Sequence, residues 1–330
     1  MASKLAGTSK ASAQQERLAR SVSLQEVLEV VASGPAAWPA VSLATAWHRL
    51  AKHSQSDTQT AEVQDAMRRL AAAQQGRALH SFSARQIANM VWAWGKLQFR
   101  HVKLLEAVSV HIPSRLPEFT ARGLSNVMYS FGLLHFRHEP SLYAMGVHTS
   151  SRLPEFSAQG MSNTIYAFAL LRYKHIDVLQ SICGHAPGFL GEFKAQELSM
   201  TLYGCGLLRF RHTQLLRAIC VHVPGRLVEF KAQNISNMVY ALGLLDFKHE
   251  ALLQALGTHV LSRVAEFTPQ GLSNTAYGFG LLKYKHTTFV RALCAHVPWR
   301  LSEFSPQNIS NIAFALGRMG FRKRGPLACW

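Results

Sequence analysis

"FSAQGMSNTIYAFALLRYKH" occupies residues 156–175, and "FTPQGLSNTAYGFGLLKYKH" occupies residues 267–286. Two nearly identical stretches in one chain mean an internal repeat, and the leading phenylalanine gives its period. It recurs at Phe82, Phe119, Phe156, Phe193, Phe230, Phe267 and Phe304, every 37 residues without an insertion. Counting each phenylalanine as register position 0, position 10 is aromatic in all copies: Trp92, Tyr129, Tyr166, Tyr203, Tyr240, Tyr277 and Phe314. Position 7 is Asn except at Met200, and position 13 is Gly except at Ala169. Position 17 is always Phe or Tyr and position 18 always Lys or Arg.

A period in the thirties without strand-like alternation predicts an all-α, right-handed α-solenoid of stacked helix-turn-helix repeats. Helix A starts after the phenylalanine. Ser83, Thr120, Ser157, Thr268 and Ser305 stand where an N-cap oxygen takes an orphan N–H. Pro269 and Pro306 follow at the first helical position, where a missing N–H is harmless. Helix B is expected over roughly positions 20–34, ending early or kinking at Pro113, Pro187, Pro224 and Pro298.

Four segments follow. Residues 1–35 read as a transit peptide or a disordered tail, because the first fifteen residues carry two Lys and no acid. Residues 36–81 read as a degenerate capping repeat. Residues 82–321 hold six full repeats plus a final helix A, and residues 322–330 read as a frayed tail.

On a helical wheel of about 100° per residue, positions 5, 9 and 12 cluster as core, as in Ile235, Val239 and Leu242. Small residues at positions 6 and 13 admit a neighbouring helix. The arc at positions 3, 7, 11 and 4 is expected to be open. Position 3 gives Arg85, Arg122, Gln159, Gln196, Gln233, Gln270 and Gln307. Position 7 gives Asn89, Asn126, Asn163, Asn237, Asn274 and Asn311. Position 4 varies most: Gln86, Gly123, Gly160, Glu197, Asn234, Gly271 and Asn308.

Amides beside small residues suit one-base-per-repeat reading of single-stranded RNA, with position 4 as the variable reader and Asn as a generic contact. The competing reading is a ladder of amide hydrogen bonds between adjacent A helices. The position 10 aromatic is read as core, with base stacking the lesser alternative.

The chain has 330 residues, 35 Lys and Arg against 18 Asp and Glu, and a net charge of +17, which favours a polyanionic partner. Arg100, Arg137, Lys174, Arg211, Lys248, Lys285 and Arg322 recur at position 18 and form a row suited to phosphates. Arg115, Arg152, Arg226, Arg263 and Arg300 make a second row, with Phe189 in the odd copy. If about seven cations meet phosphates, log K should fall with log salt at a slope of roughly −5. On this reading Asn234→Ala shifts preference at one base, whereas Lys248→Ala weakens all sequences alike.

Twelve of the sixteen histidines occupy positions 19 and 29, with no Cys or carboxylate at ligand spacing. Packing or capping is expected of them, and no metal. The recurrent acid before each phenylalanine (Glu118, Glu155, Glu192, Glu229, Glu266, Glu303) suits the helix A N-terminus. No nucleophile elbow, P-loop, HExxH or dinucleotide fingerprint is present, so neither catalysis nor a cofactor is expected. Five cysteines without a CxxC pair argue against a disulfide framework. No run reaches eighteen apolar residues, so no membrane partner is expected.

"FSPQNISNIAFALGRMGF" (304–321) and "FTPQGLSNTAYGFGLL" (267–282) resemble helix A of the octotricopeptide repeats, and still more the 37-residue heptatricopeptide repeats. Both are similar to the helical repeats of FAST-kinase-like and RAP-domain proteins. The resemblance covers about residues 40–325. It implies a nuclear-encoded RNA binder of the mitochondrial matrix or chloroplast stroma. Such a protein acts on organellar mRNA or rRNA in processing, stability, splicing, translation or rRNA assembly, with ribonucleoprotein partners. RNA contacts from helix A would fall on Gln159, Gly160 and Asn163, and on Gln233, Asn234 and Asn237. Two features depart from the family pattern. Position 2 is Ala, not Pro, in the five earlier copies. No RAP domain is expected after the array, so no nuclease-like activity is carried over. The alternative is a protein-interaction scaffold or assembly factor that reads no bases.

Overall fold

The computed structural model describes residue 13, residues 15–54, residue 58 and residues 60–321. The fold is an all-α solenoid of helical repeats, with no strand among the described residues. The chain divides into two compact units, Met1–Phe156 and Ser157–Trp330.

In the first unit, α1 (Leu24–Ala32), α2 (Ala40–His53) and α3 (Ala61–Gln74) precede two repeats. These are α4 (Ala84–Lys96) with α5 (Val102–His111), and α6 (Ala121–Leu133) with α7 (Glu139–Ser151). Residues 15–20 are helical, and Leu18, Val27, Val30 and Val31 are buried. This corrects the tail expected over 1–35: from residue 15 onward an apolar stripe, too weakly periodic to stand out alone, packs into the unit. Residues 1–12, read as a leader, lie outside the described residues, as do Arg322 and the tail to 330.

The second unit holds α8 (Ala158–Leu170), α9 (Ile176–His185), α10 (Ala195–Leu207), α11 (Thr213–His222), α12 (Ala232–Leu244) and α13 (Glu250–Leu261). It continues with α14 (Pro269–Leu281), α15 (Thr287–His296) and the final helix A, α16 (Pro306–Arg318).

Local chemistry sets these boundaries. The hydroxyls of Ser83, Thr120, Ser157, Thr268 and Ser305 accept the N–H three residues on, as expected of N-caps. Helix B stops after ten residues where Pro stands at position 31, as in α5, α9, α11 and α15. Without that proline, α7 and α13 reach 13 and 12 residues. At their C-termini the even-numbered helices α4 to α14 each close on a residue in the left-handed region: Gln98, His135, Arg172, Arg209, Asp246 and Lys283, with φ between 48° and 54°. The next N–H reaches back to the position 12 carbonyl, as from Phe210 to Cys205 at 2.9 Å.

A helices pack chiefly on A helices: α2 on α4 on α6 in the first unit, and α8 through α16 by even numbers in the second. The contact is close because small residues meet. A Cβ on Gly206 would lie 3.0 Å from Ala241 Cα, and one on Gly280 would lie 2.6 Å from Ala315 Cα. The position 6 hydroxyls of Ser199 and Ser273 donate across to the Asn234 and Asn308 carbonyls at 3.1 and 3.2 Å. Ile235, Val239 and Leu242 are fully buried, as the wheel requires.

The second arginine row closes each repeat on itself. Arg263 Nη1 donates to the Phe230 carbonyl at 2.8 Å and to His259 Nε2 at 2.9 Å. Its Nε and Nη2 grip Glu266 at 2.9 and 2.6 Å. Arg115, Arg152, Arg226 and Arg300 repeat the pattern on Phe82, Phe119, Phe193 and Phe267. The expected phosphate role of this row is therefore corrected. These guanidiniums are already forked onto a carboxylate, and their exposure is only 17–26%. The recurrent glutamate is likewise the arginine's partner in these copies. Where Phe189 replaces Arg, it stacks on His185 with centroids 4.5 Å apart.

This clip makes acid resistance predictable. Burial first, then the neighbouring arginine, holds His111, His148, His259 and His296 below the ordinary value of 6.5. The hydrogen bond from arginine holds Glu118, Glu155, Glu229, Glu266 and Glu303 below the ordinary 4.5. In both cases the unfolded chain binds protons more readily than the folded one, so stability falls as pH falls. Thermal midpoints should drop first as pH passes below 6.5 through the histidines, then again below 4.5 through the glutamates. A melting series from pH 7.5 to pH 4 checks this, and a midpoint constant across that range would refute the clip's role.

Candidate nucleic-acid interface

Within each unit the inner A helices (α4, α10, α12 and α14) are flanked by two others, so only a narrow sector stays open. On the wheel, positions 10, 3, 14 and 7 fall within about 60°. In α4 these are Trp92, Arg85, Lys96 and Asn89, which with Gln86 are the residues of that helix that reach solvent. The flanks at positions 11 and 4 behave differently. Position 11, expected to leave room for a base, is buried against neighbouring A helices (Ser130, Gly204, Ala241, Gly278).

Position 4, expected to read bases, is the third residue of helix A and serves its N-terminus. Gln86, Glu197, Asn234 and Asn308 accept the N–H of the residue before the helix at 2.9–3.2 Å. Gly123, Gly160 and Gly271 instead donate their own N–H to the capping hydroxyl at 3.1–3.2 Å. The variability that suggests a code follows capping chemistry: three of the five hydroxyl caps precede Gly, and both Lys caps precede Glu or Asn.

The amides at positions 3 and 7 are placed differently. Arg85, Arg122, Gln159, Gln196, Gln233, Gln270 and Gln307 are exposed. Asn89, Asn126, Asn237, Asn274 and Asn311 are half-buried, and Asn163 is 7% exposed. Asn311 accepts from Gln307 at 2.8 Å, within one helix. Among the described residues no hydrogen bond joins the asparagines of neighbouring repeats. The ladder that would have sealed them is absent, and their amides border the open sector.

Beside them runs a row of rings. The position 10 residues are not core. Trp92 and the five tyrosines are half-buried, and Phe314 is 44% exposed. In the second unit Tyr166, Tyr203, Tyr240, Tyr277 and Phe314 touch in sequence, with centroids 6.1, 6.1, 6.0 and 5.3 Å apart. Desolvation pushes the hydroxyls of Tyr166, Tyr203 and Tyr240 above their ordinary value, so they stay protonated donors at neutral pH. The wheel held the signal that places them, because position 10 sits about 20° from position 3.

Cations rim this strip at the C-terminal ends of the A helices. Arg100, Arg137, Lys174, Arg211, Lys248 and Lys285 are exposed. Four of them lie over the position 17 ring of the next repeat: Lys174 on Phe210, Arg211 on Phe247, Lys248 on Tyr284 and Lys285 on Phe321, at 4.9–5.8 Å. Each is thereby held in place with its charge facing solvent. Arg137 and Lys248 also pair with Glu139 and Glu250 on the surface. Sequence reading missed further exposed cations at the left-handed position 16: Arg172, Arg209 and Lys283. At the ends of the array Lys96 and Arg318 lie over Trp92 and Phe314 at 5.4 and 5.9 Å.

The histidines are structural. At position 19, His101, His138, His212, His249 and His286 cap helix B, each Nδ1 accepting the N–H three residues on at 3.1–3.4 Å. At position 29 the Nε2 atoms of His111, His148, His222, His259 and His296 face the clip arginines. Arginine only donates, so those imidazoles are neutral acceptors. Cys183, Cys205, Cys220 and Cys294 are buried, and burial pushes the Cys220 thiol up to about 12.

No helix of the described residues is long and apolar enough to cross a membrane. A family model described as RNA-editing substrate-binding complex 6 protein matches residues 79–325. No curated protein matches the chain.

Proposed function

The chain belongs to the RNA-editing substrate-binding complex 6 protein family, and from that premise we propose that it binds single-stranded RNA in RNA processing. The observation that carries the reading is the open sector of helix A. There, Asn amides not bonded to one another, half-exposed rings and a rim of cations recur from repeat to repeat. Amides meet base edges, and cations meet phosphates. The repeat supports a reading of about one base per repeat. We assign it to positions 3 and 7, as in Gln233 and Asn237, since position 4 is engaged in capping. The protein acts without a catalytic step of its own. Its place is the mitochondrial matrix or chloroplast stroma, on organellar mRNA or rRNA, by the resemblance to organellar repeat proteins.

Selection from a random RNA pool at moderate salt tests this. An enriched single-stranded motif is expected, and Asn237→Ala should relax preference at one base by about 1–3 kcal/mol. A pool that enriches nothing would instead favour the protein-interaction scaffold.

A further inference from the structure

We propose that the ring ladder of the second unit (Tyr166, Tyr203, Tyr240, Tyr277 and Phe314) is a base-stacking platform that fixes the protein's preference for unpaired RNA. The inference rests on the RNA-binding reading and adds to it the group that takes the base faces.

Three observations carry it. First, aromatic side chains hold the position in every repeat although it faces outward. Packing alone does not require a large ring at a half-exposed site, and a continuous half-exposed strip of rings suits a partner with flat apolar faces. Second, the ladder lies between the amides of positions 3 and 7 and the cations at the helix C-termini. A nucleotide needs that order: base edge, base face, phosphate. Arg209 is close enough to Tyr240 to act on its hydroxyl.

Third, the spacing selects the ligand. Ring centroids advance 6.0–6.1 Å per repeat between Tyr166 and Tyr277. Stacked bases within a helical strand advance only about 3.4 Å. A strand in register with the ladder is therefore stretched, its bases unstacked from one another and free to lie on protein rings. A duplex cannot meet that pitch. The bases rest on the solvent side of the strip rather than between rings. Insertion between two rings needs about 7 Å, two stacking steps, and the tilted rings already fill the gap.

The test compares three probes at one salt concentration: an unstructured RNA of about fifteen nucleotides, long enough to cover the array at about one base per repeat with flanks to spare, the same length of abasic ribose-phosphate, and the RNA annealed to its complement. The variants are the doubles Tyr203→Leu/Tyr240→Leu and Tyr203→Phe/Tyr240→Phe. Wild type should prefer the RNA over both other probes. The Leu double should bind RNA about 10–100-fold more weakly, with abasic affinity and salt slope unchanged. The Phe double should stay within about threefold, because stacking needs the ring and not the hydroxyl.

A Leu double that binds RNA like wild type overturns the platform while leaving RNA binding intact. A wild type that binds none of the probes overturns the RNA reading itself. If the Leu double does not fold, ultraviolet crosslinking of wild type to the RNA decides. Adducts on Tyr203 or Tyr240 peptides support the platform, and adducts only elsewhere overturn it.

Discussion

Gly280→Ala is expected to destabilise the second unit by about 2 kcal/mol, whereas Gly317→Ala, at the same register one repeat later, is expected to stabilise it by about 0.5–1 kcal/mol. Both glycines stand at position 13 of a helix A. A Cβ on Gly280 would lie 2.6 Å from Ala315 Cα and 2.9 Å from its Cβ. These are backbone and near-backbone atoms that cannot swing aside, so α14 and α16 must separate. Gly317 has nothing described within 4 Å and no left-handed φ, so a methyl there only reduces the freedom of the unfolded chain.

Repeat arrays unfold locally at a weakened interface, so the readout should be local as well. Hydrogen exchange across residues 306–318 should quicken in Gly280→Ala and slow in Gly317→Ala, alongside shifts of the urea midpoint in the same senses. Equal effects from the two substitutions would mean that position 13 is glycine for a reason other than helix approach.

The second large effect concerns charge. Replacing Lys174, Arg211 and Lys285 together by Ala should weaken single-stranded RNA binding about 30-fold near physiological salt and flatten the salt slope by about 2, at roughly 0.7 per phosphate on a single strand. These three are exposed, pair with no carboxylate among the described residues and are held over Phe210, Phe247 and Phe321. The comparison is the triple change of Lys103, Arg217 and Arg291, exposed cations on B helices. It removes the same charge from the opposite element of the repeat and should cost severalfold at most. If the two triples weaken binding equally, RNA is attracted by net charge alone and no track exists. Circular dichroism on both variants guards against loss of fold, since the first also removes three cation–ring contacts.

The repeat's period, its helix starts at Ser83, Thr120, Ser157, Thr268 and Ser305, and the shortening of helix B at its prolines are legible in the sequence. These features depend on residues within one turn of each other, where capping oxygens and missing N–H groups act directly. The core at Ile235, Val239 and Leu242, and the capping role of the position 19 histidines, follow from the same short-range pattern.

The functional face was only half legible. Register alone puts positions 3, 4, 7 and 11 on one arc, and nothing local tells Gly204 or Gly278 that neighbouring A helices will close over its flank. The capping by position 4 and the grip of Arg263 on Glu266 act over three residues and are local. Only the stacked structure decides that position 11 is spent on close packing, that Arg263 also reaches the Phe230 carbonyl, and that the ring of Tyr240 meets solvent. A one-dimensional period fixes which residues are equivalent. Which of those equivalent residues stay open is set by neighbours 35 to 39 residues away, and only packing brings them together.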